Sequence, residues 1–200
     1  MSARLAMHGQ RGAALVVALV VLVLVTIIAV AASQRALVDE KGARAARDRE
    51  IALQAAEAAV RDAMIDIDTG PREGLFSDAP VGFDAQCPNE ALPGTGALAT
   101  SRRGLCLASD PAQARQSWQD VDFAARAVPF GTFTGRAWNV AQAPAPRYIV
   151  EWTQLTVAGE EVQSTATSSQ RVAFRITAVG YGPPGSNVET SVQTFYVKIR

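Results

Sequence analysis

The sequence predicts an α+β protein in which one long N-terminal helix packs on a C-terminal antiparallel β-sheet. Three observations lead to this fold class. Residues 13–32 are apolar with a single exception, residues 33–68 continue in a helical amphipathic pattern without proline, and residues 147–200 contain segments in which apolar and polar side chains alternate. Alternation with a period of two is typical of strands that bury one face. We therefore expect the helix to cover that face.

The apolar segment is long enough to cross a membrane. No charged residue lies between Arg11 and Arg35. At a rise of about 1.5 Å per residue, residues 13–32 cover about 30 Å, which is the thickness of a bilayer core. The hydroxyl of Thr26, the one polar member, can donate to a carbonyl of its own helix. The segment predicts a single membrane helix that continues without a break to residue 68.

The residues before this helix predict its orientation. Arg4 and Arg11 precede it, and residues 1–12 contain no acid. Basic residues remain on the cytoplasmic side, so the rest of the chain is expected to be exported. A cleaved secretory signal is the alternative, with Ala29-Val30-Ala31 as its cleavage site. Cleavage there would discard a helix whose continuation is regular, which argues against it.

The second half of the helix has an apolar stripe. Steps of three or four residues place five side chains on one face, as expected for a helix that packs against a sheet. These side chains are Leu53, Ala56, Val60, Met64 and Ile67. Acid–base pairs four residues apart, such as Glu40–Arg44 and Glu57–Arg61, lie in the same half. Thr69-Gly70-Pro71 predicts the end of the helix.

Three C-terminal segments, residues 147–157, 171–179 and 188–200, predict strands. We expect three or four strands in total, with a turn at residues 180–185 and an exposed connection at residues 159–170. Their apolar sides are expected to face the helix. Those sides consist of Tyr148, Val150 and Trp152 in the first segment, Val172, Phe174, Ile176 and Ala178 in the second, and Phe195, Val197 and Ile199 in the third.

The middle of the chain, residues 69–146, contains eight of the ten prolines and has weak periodicity. Residues 118–123 and 130–133 are candidates for brief strands, and Arg102-Arg103 is expected to face the solvent. A loop of this length is uncommon in a compact domain unless it has a function or a covalent constraint.

Cys87 and Cys106 can supply that constraint. In an oxidising compartment their disulfide would close a loop of about 20 residues and stabilise the fold by about 3 kcal/mol. In a reducing compartment they would remain two unpaired thiols.

The composition argues against an enzyme. His8 is the one histidine, and it precedes the apolar segment. Residues 66–70 begin like a calcium-binding loop but lack the further oxygen ligands that such a loop needs, so they are interpreted as a helix end. The formal net charge is +0, which gives no basic field for nucleic acid. We expect no catalytic residue, no cofactor and no metal site.

Gln10-Arg11-Gly12 ends a basic leader, and an apolar helix follows at once. This junction resembles the class III signal of type IV prepilins. The resemblance implies that prepilin peptidase cleaves after Gly12 and that Ala13 becomes the methylated N-terminus. Most pilins have a glutamate at the fifth mature position, which neutralises the terminal amine of a neighbouring subunit. Here that position is Val17, which implies a subunit with no neighbour ahead of it, at the filament tip.

Residues 47–62, RDREIALQAAEAAVRD, resemble the N-terminal signature of the PilX family of minor pilins. The resemblance implies a type IV pilin fold. Its regions are a prepilin leader at 1–12, a long helix at 13–68 with a filament core at 13–32, a variable loop region at 69–146, and an antiparallel sheet at 147–200.

For function, the resemblance implies a minor pilin that primes assembly of a type IV pilus and sits in its tip complex. The implied partners are the major pilin, other minor pilins, prepilin peptidase, the inner-membrane assembly platform and a tip adhesin. The implied location is the inner membrane, with the C-terminal domain in the periplasm, and then the pilus tip at the cell surface, where pili serve twitching motility and cell adhesion.

Two alternatives remain open at this stage. One is the corresponding minor pseudopilin of a type II secretion system, although that group usually has a large inserted domain. The other is a membrane-anchored envelope domain that binds a ligand or senses the envelope, and that keeps residues 1–12.

Overall fold

The structure is a computed structural model that describes residues 11–85, 87, 101–107, 119, 122–141, 143–155 and 171–198. It divides into two compact units, Met1–Ala46 and Arg47–Arg200. The α-helix α1 (Arg11–Thr69) contributes to both units. Several predicted features lie outside the described residues. They are the leader up to Gln10, residues 118, 120 and 121 of one candidate strand, the connection at 159–170, and Ile199.

In the first unit, α1 exposes every side chain from residue 14 to residue 46. By length and composition it is the one helix of the described chain that can cross a membrane, with a mean hydropathy of 3.3 in its most apolar window. The Thr26 hydroxyl donates to the carbonyl of Val23 at 2.8 Å, as expected. The predicted pair Glu40–Arg44 is also formed.

In the second unit, α1 ends at Thr69, as predicted, and buries an alanine-rich face. The predicted stripe is correct for Ala56, Val60 and Ile67, whereas Leu53 and Met64 are only half-buried. The centre of the buried face lies on smaller residues, namely Ala52, Ala55, Ala59 and Ala63, all at most 1% exposed. Alanine allows the helix backbone to approach the sheet closely, because its side chain is a single methyl group.

A short 3₁₀ helix (Glu73–Leu75) follows α1. Five strands then form one sheet: β1 (Leu105–Leu107), β2 (Val128–Pro129), β3 (Arg147–Leu155), β4 (Arg171–Tyr181) and β5 (Glu189–Tyr196). The order is β1-β3-β4-β5, and β2 pairs with β3.

The sheet differs from the expectation in two respects. Within the described residues it has five strands rather than three or four, and β1 runs parallel to β3. The two additional strands have three and two residues, which is too short for a period-two signal. The candidate strand at residues 130–133 is wrong, because these residues form a turn directly after β2.

One face of the sheet packs on α1, as the fold class requires. Tyr148, Val150, Phe174, Ile176 and Ala178 belong to its core cluster, and Val172 and Trp152 pack at its margin. The prediction that Phe195 and Val197 of the last strand segment face the core is wrong.

Phe195 is 55% exposed and Val197 38% exposed, whereas Val192 and Tyr196 of β5 pack against the core. The register explains this reversal, since Tyr196 pairs with Phe174 and Val192 with Ala178. Directly paired residues share a face of the sheet.

Candidate functional site

The exposed apolar surface of α1 in the first unit is the first candidate functional surface among the described residues. Val17 is 61% exposed, Leu15 70% and Ile28 66%. Removing one such side chain from water stabilises the buried state by about 1.5–3 kcal/mol. The backbone of Gly12 and Ala13 is helical and belongs to the same element. This surface can enter a lipid bilayer or a bundle of similar helices.

A buried ion cluster supports the C-terminal end of α1. Arg72, 1% exposed, donates to both carboxylate oxygens of Asp66 through Nε and Nη2. The hydroxyl of Tyr148 in β3 donates to the same carboxylate at 2.9 Å. Burial raises the pKa of Tyr148 well above its ordinary value, and the charge of Asp66 raises it further. The tyrosine is therefore a stable hydrogen-bond donor.

Arg72 also connects α1 to the middle of the chain. Its Nη1 donates to the carbonyl oxygens of Ser101 at 3.1 Å and Arg103 at 2.7 Å. Its guanidinium carbon lies 3.7 Å from the ring centroid of Phe133, a cation–π contact. One buried side chain thus joins the helix end, the approach to β1 and the turn after β2.

Asp62, four residues before Asp66 in α1, holds the turn that follows β2. Its carboxylate accepts from the amide of Gly131 at 2.8 Å and from the hydroxyl of Thr134. Gly131 has φ +79°, and a Cβ there would collide with the carbonyl of Arg136. The burial of Asp62 and Asp66 was not predicted from the sequence. Their spacing of four on the alanine-rich face was the available signal.

Cys87 and Cys106 form a disulfide, with 4.4 Å between their Cα atoms. Both are fully buried and pack with Ala127 and Ile149 on the face of the sheet opposite α1. Cys106 lies in β1 and pairs with Glu151 of β3. The disulfide therefore fixes residue 87, which follows the helix, to the edge of the sheet.

Arg102 and Arg103 do not simply face the solvent, which corrects the prediction. Arg102 donates to the carbonyl of Gly82, and its side chain is 17% exposed. Arg103 donates to the carbonyls of Ala125 and Ala127. Both side chains hold loops of the middle region against the sheet.

Two further polar pairs complete the second unit. Arg175 of β4 donates through Nε and Nη2 to the fully buried carboxylate of Glu151 in β3, at 2.7 Å for each bond. The hydroxyl of Tyr196 donates to Asp68, and this hydrogen bond, together with partial burial, raises the pKa of Tyr196 to about 12. Both pairs link separate elements, and the second joins β5 to α1.

The acidic side chains near the end of α1 were candidates for a metal site, and the described part of the chain shows how they are used. No group of three or more His, Cys, Asp or Glu side chains there is placed to hold a metal ion. Residues 66–68 form the last turn of α1, as the helix-end interpretation predicts. Their carboxylates are engaged by Arg72, Tyr148 and Tyr196. These carboxylates therefore link α1 to residue 72, β3 and β5 within the second unit.

Comparison with known families accounts for most of the chain. Residues 11–61 match the family model PilX N-terminal, and residues 102–198 match the model for the C-terminal part of type IV pilus assembly protein PilX. No curated protein and no solved structure matches the chain. The matches cover both the apolar helix and the sheet, and the family is a structural, non-enzymatic one. The chain belongs to the PilX family of type IV pilus assembly proteins.

Proposed function

We propose that this protein is a minor pilin that primes assembly of a type IV pilus and remains in its tip complex. The observation that carries the proposal is the side chain at position 17. Val17 lies on an uninterrupted apolar surface, at the position where most pilins have a glutamate. A subunit without this carboxylate cannot neutralise the terminal amine of a subunit ahead of it. An unpaired charge in an apolar core is costly, so the tip is the favourable place.

Processing at the leader prepares the subunit. Prepilin peptidase cleaves between Gly12 and Ala13 on the cytoplasmic side, and Ala13 is methylated. The basic leader keeps that end in the cytoplasm, so the second unit with its disulfide is in the periplasm, an oxidising compartment.

Assembly then transfers the apolar helix from lipid into the filament core. The transfer exchanges lipid contacts for contacts with other pilin helices, so it needs no catalytic group in this chain. The partners are the major pilin, other minor pilins, the inner-membrane platform and a tip adhesin, in pili that serve twitching motility and adhesion. The C-terminal match to a pilus assembly family favours a pilus over a type II secretion system.

The mass of the N-terminus tests the processing step. In cells with prepilin peptidase we expect loss of residues 1–12 and one added methyl group on Ala13. In cells without it the N-terminus should be intact. An intact N-terminus in both strains would indicate a membrane-anchored envelope domain. Cleavage near Ala31 in both would indicate a secreted protein.

Introducing a carboxylate at position 17 tests the tip location. We expect Val17→Glu to raise the amount of this subunit in sheared pili severalfold relative to the major pilin, because the subunit can then occupy interior positions. Val20→Glu is the matched control, since Val20 is also exposed and apolar (50%) but is not at the fifth mature position. Equal amounts of wild-type protein and the Val17→Glu variant in pili would contradict the tip argument.

A further inference from the structure

Two arginines converge on one turn at the end of the sheet where β3 begins. Arg147 donates through Nη1 to the carbonyl of Ala124 at 2.7 Å. Arg103 donates through Nε to the carbonyl of Ala127 at 3.0 Å and through Nη2 to that of Ala125 at 3.4 Å. We call Arg103 and Arg147 the arginine pair. The hydrogen bond from Arg147 to Ala124 and the one from Arg103 to Ala125 both lie at the exposed surface.

Within the described ranges, neither member of the arginine pair forms an ion pair with a carboxylate. The acid of the turn, Asp122, accepts hydrogen bonds from the amides of Ala124 and Ala125. Glu189 lies in β5, separated from β3 by β4. Burial and the charge of Arg147 lower the pKa of Arg103, as expected for like charges held together. Within the described residues, the two guanidinium groups therefore lie close together, and no carboxylate forms an ion pair with either of them.

The N–H groups of the Arg147 guanidinium indicate which kind of ligand the arginine pair can bind. A guanidinium binds a carboxylate bidentately through two parallel N–H groups. Among the described residues, Arg72 binds Asp66 and Arg175 binds Glu151 in this way, each through Nε and Nη2. Arg147 uses only Nη1 in its hydrogen bond to the turn, and no described residue accepts a hydrogen bond from its Nε and Nη2 edge. The same edge of Arg103 is occupied by backbone carbonyls.

We propose that the arginine pair binds a carboxylate on an acidic segment of a neighbouring protein subunit. Arg147 supplies the bidentate contact, and Arg103 positions the turn and adds positive potential. A lipid surface fits less well, because lipid-binding patches use clusters of four to eight mobile basic residues. The choice of a protein partner rests on the proposed function in pilus assembly. The contact would dock the second unit on a neighbour, in addition to packing of the apolar helices.

Peptide binding by the full-length protein tests this proposal. The protein is placed in nanodiscs of zwitterionic lipid, and the affinity of a fluorescent octaglutamate peptide is measured by anisotropy at low salt. We expect Arg147→Gln to weaken binding about tenfold, which corresponds to about 1.4 kcal/mol. Arg147→Lys should also weaken it, since lysine keeps the charge but loses the bidentate geometry.

Arg61→Gln is the matched control, because Arg61 is an exposed arginine of α1 paired with Glu57, and the same charge is lost. We expect it to bind the peptide within about twofold of the wild type, a difference well under 1 kcal/mol. Equal weakening by Arg61→Gln and Arg147→Gln, or full affinity of Arg147→Lys, would overturn the proposal. So would Arg147-dependent binding to vesicles of anionic lipid without binding of the peptide.

An experiment in cells separates this proposal from the function on which it rests. Arg147→Glu should lower the amount of this subunit in sheared pili while N-terminal processing stays normal. Unchanged incorporation with normal processing would overturn the arginine docking alone. Absence of processing in the wild type would instead count against the pilin function.

Discussion

Arg72→Met should lower the free energy of unfolding of the second unit by about 3–5 kcal/mol. Arg72 and Asp66 are both fully shielded from solvent in their ion pair. Methionine fills part of the same space but leaves the Asp66 carboxylate buried with Tyr148 as its remaining partner. Removing one member of a buried pair is costly because the other charge remains uncompensated. The variant also loses the two backbone hydrogen bonds of Arg72 and its contact with Phe133.

Urea unfolding of the full-length protein in mild detergent, followed by tryptophan fluorescence, measures this loss. Arg61→Met is the control, because its partner Glu57 is exposed and the pair contributes less than about 1 kcal/mol. Adding Asp66→Asn to Arg72→Met should recover stability, since no buried charge then remains. If Arg72→Met loses less than about 1 kcal/mol, or if Asp66→Asn recovers nothing, the assignment of the cluster as a structural anchor is incorrect.

Gly180→Ala is the second substitution with a large expected effect. Gly180 lies in β4, and a Cβ there would collide with the carbonyl oxygen of Ala52 and the amide nitrogen of Ala56. Both atoms belong to the backbone of α1, which cannot move aside as a flexible side chain can. The helix must shift away from the sheet, and packing around Ala55 loosens. We expect a loss of about 3 kcal/mol, at the upper end of the range for overpacked cores.

Gly74→Ala is the matched control for this effect. Nothing lies within 4 Å of a Cβ at Gly74, and its φ is not in the left-handed region. The same chemical change there should alter the free energy of unfolding by less than about 0.5 kcal/mol. Thermal or urea unfolding of both variants gives the comparison. If the two variants are equally stable, the close approach of α1 to β4 is not a determinant of stability.

Local signals predicted the elements with strong periodicity. The apolar run, the end of α1 after Thr69 and the alternation in β3 and β4 each depend on neighbours within a few residues. The side of β5 that faces the core did not follow from its alternation, because Phe195 and Val197 are as apolar as core residues. Pairing of Tyr196 with Phe174 decides that side, and this pairing is a property of the sheet.

The polar contacts could not be predicted in the same way. Asp66 meets Tyr148 across 82 residues and Asp62 meets Thr134 across 72. Arg103 and Arg147 converge on a turn more than twenty residues away from each in the sequence. Such contacts form only when distant elements pack, so the spacing that places Asp62 and Asp66 on one face of α1 does not identify the partner of either carboxylate.

The sequence by itself determined that this protein has an apolar helix able to span a membrane, a charged and then alanine-rich continuation, and strands that cover it. It did so because hydrophobic burial acts through local periodicity. Only the tertiary structure decided which carboxylates are buried, which arginines neutralise them, and which arginines bind backbone carbonyls instead. A buried charge requires a partner in space, and the fold alone determines which residues come together.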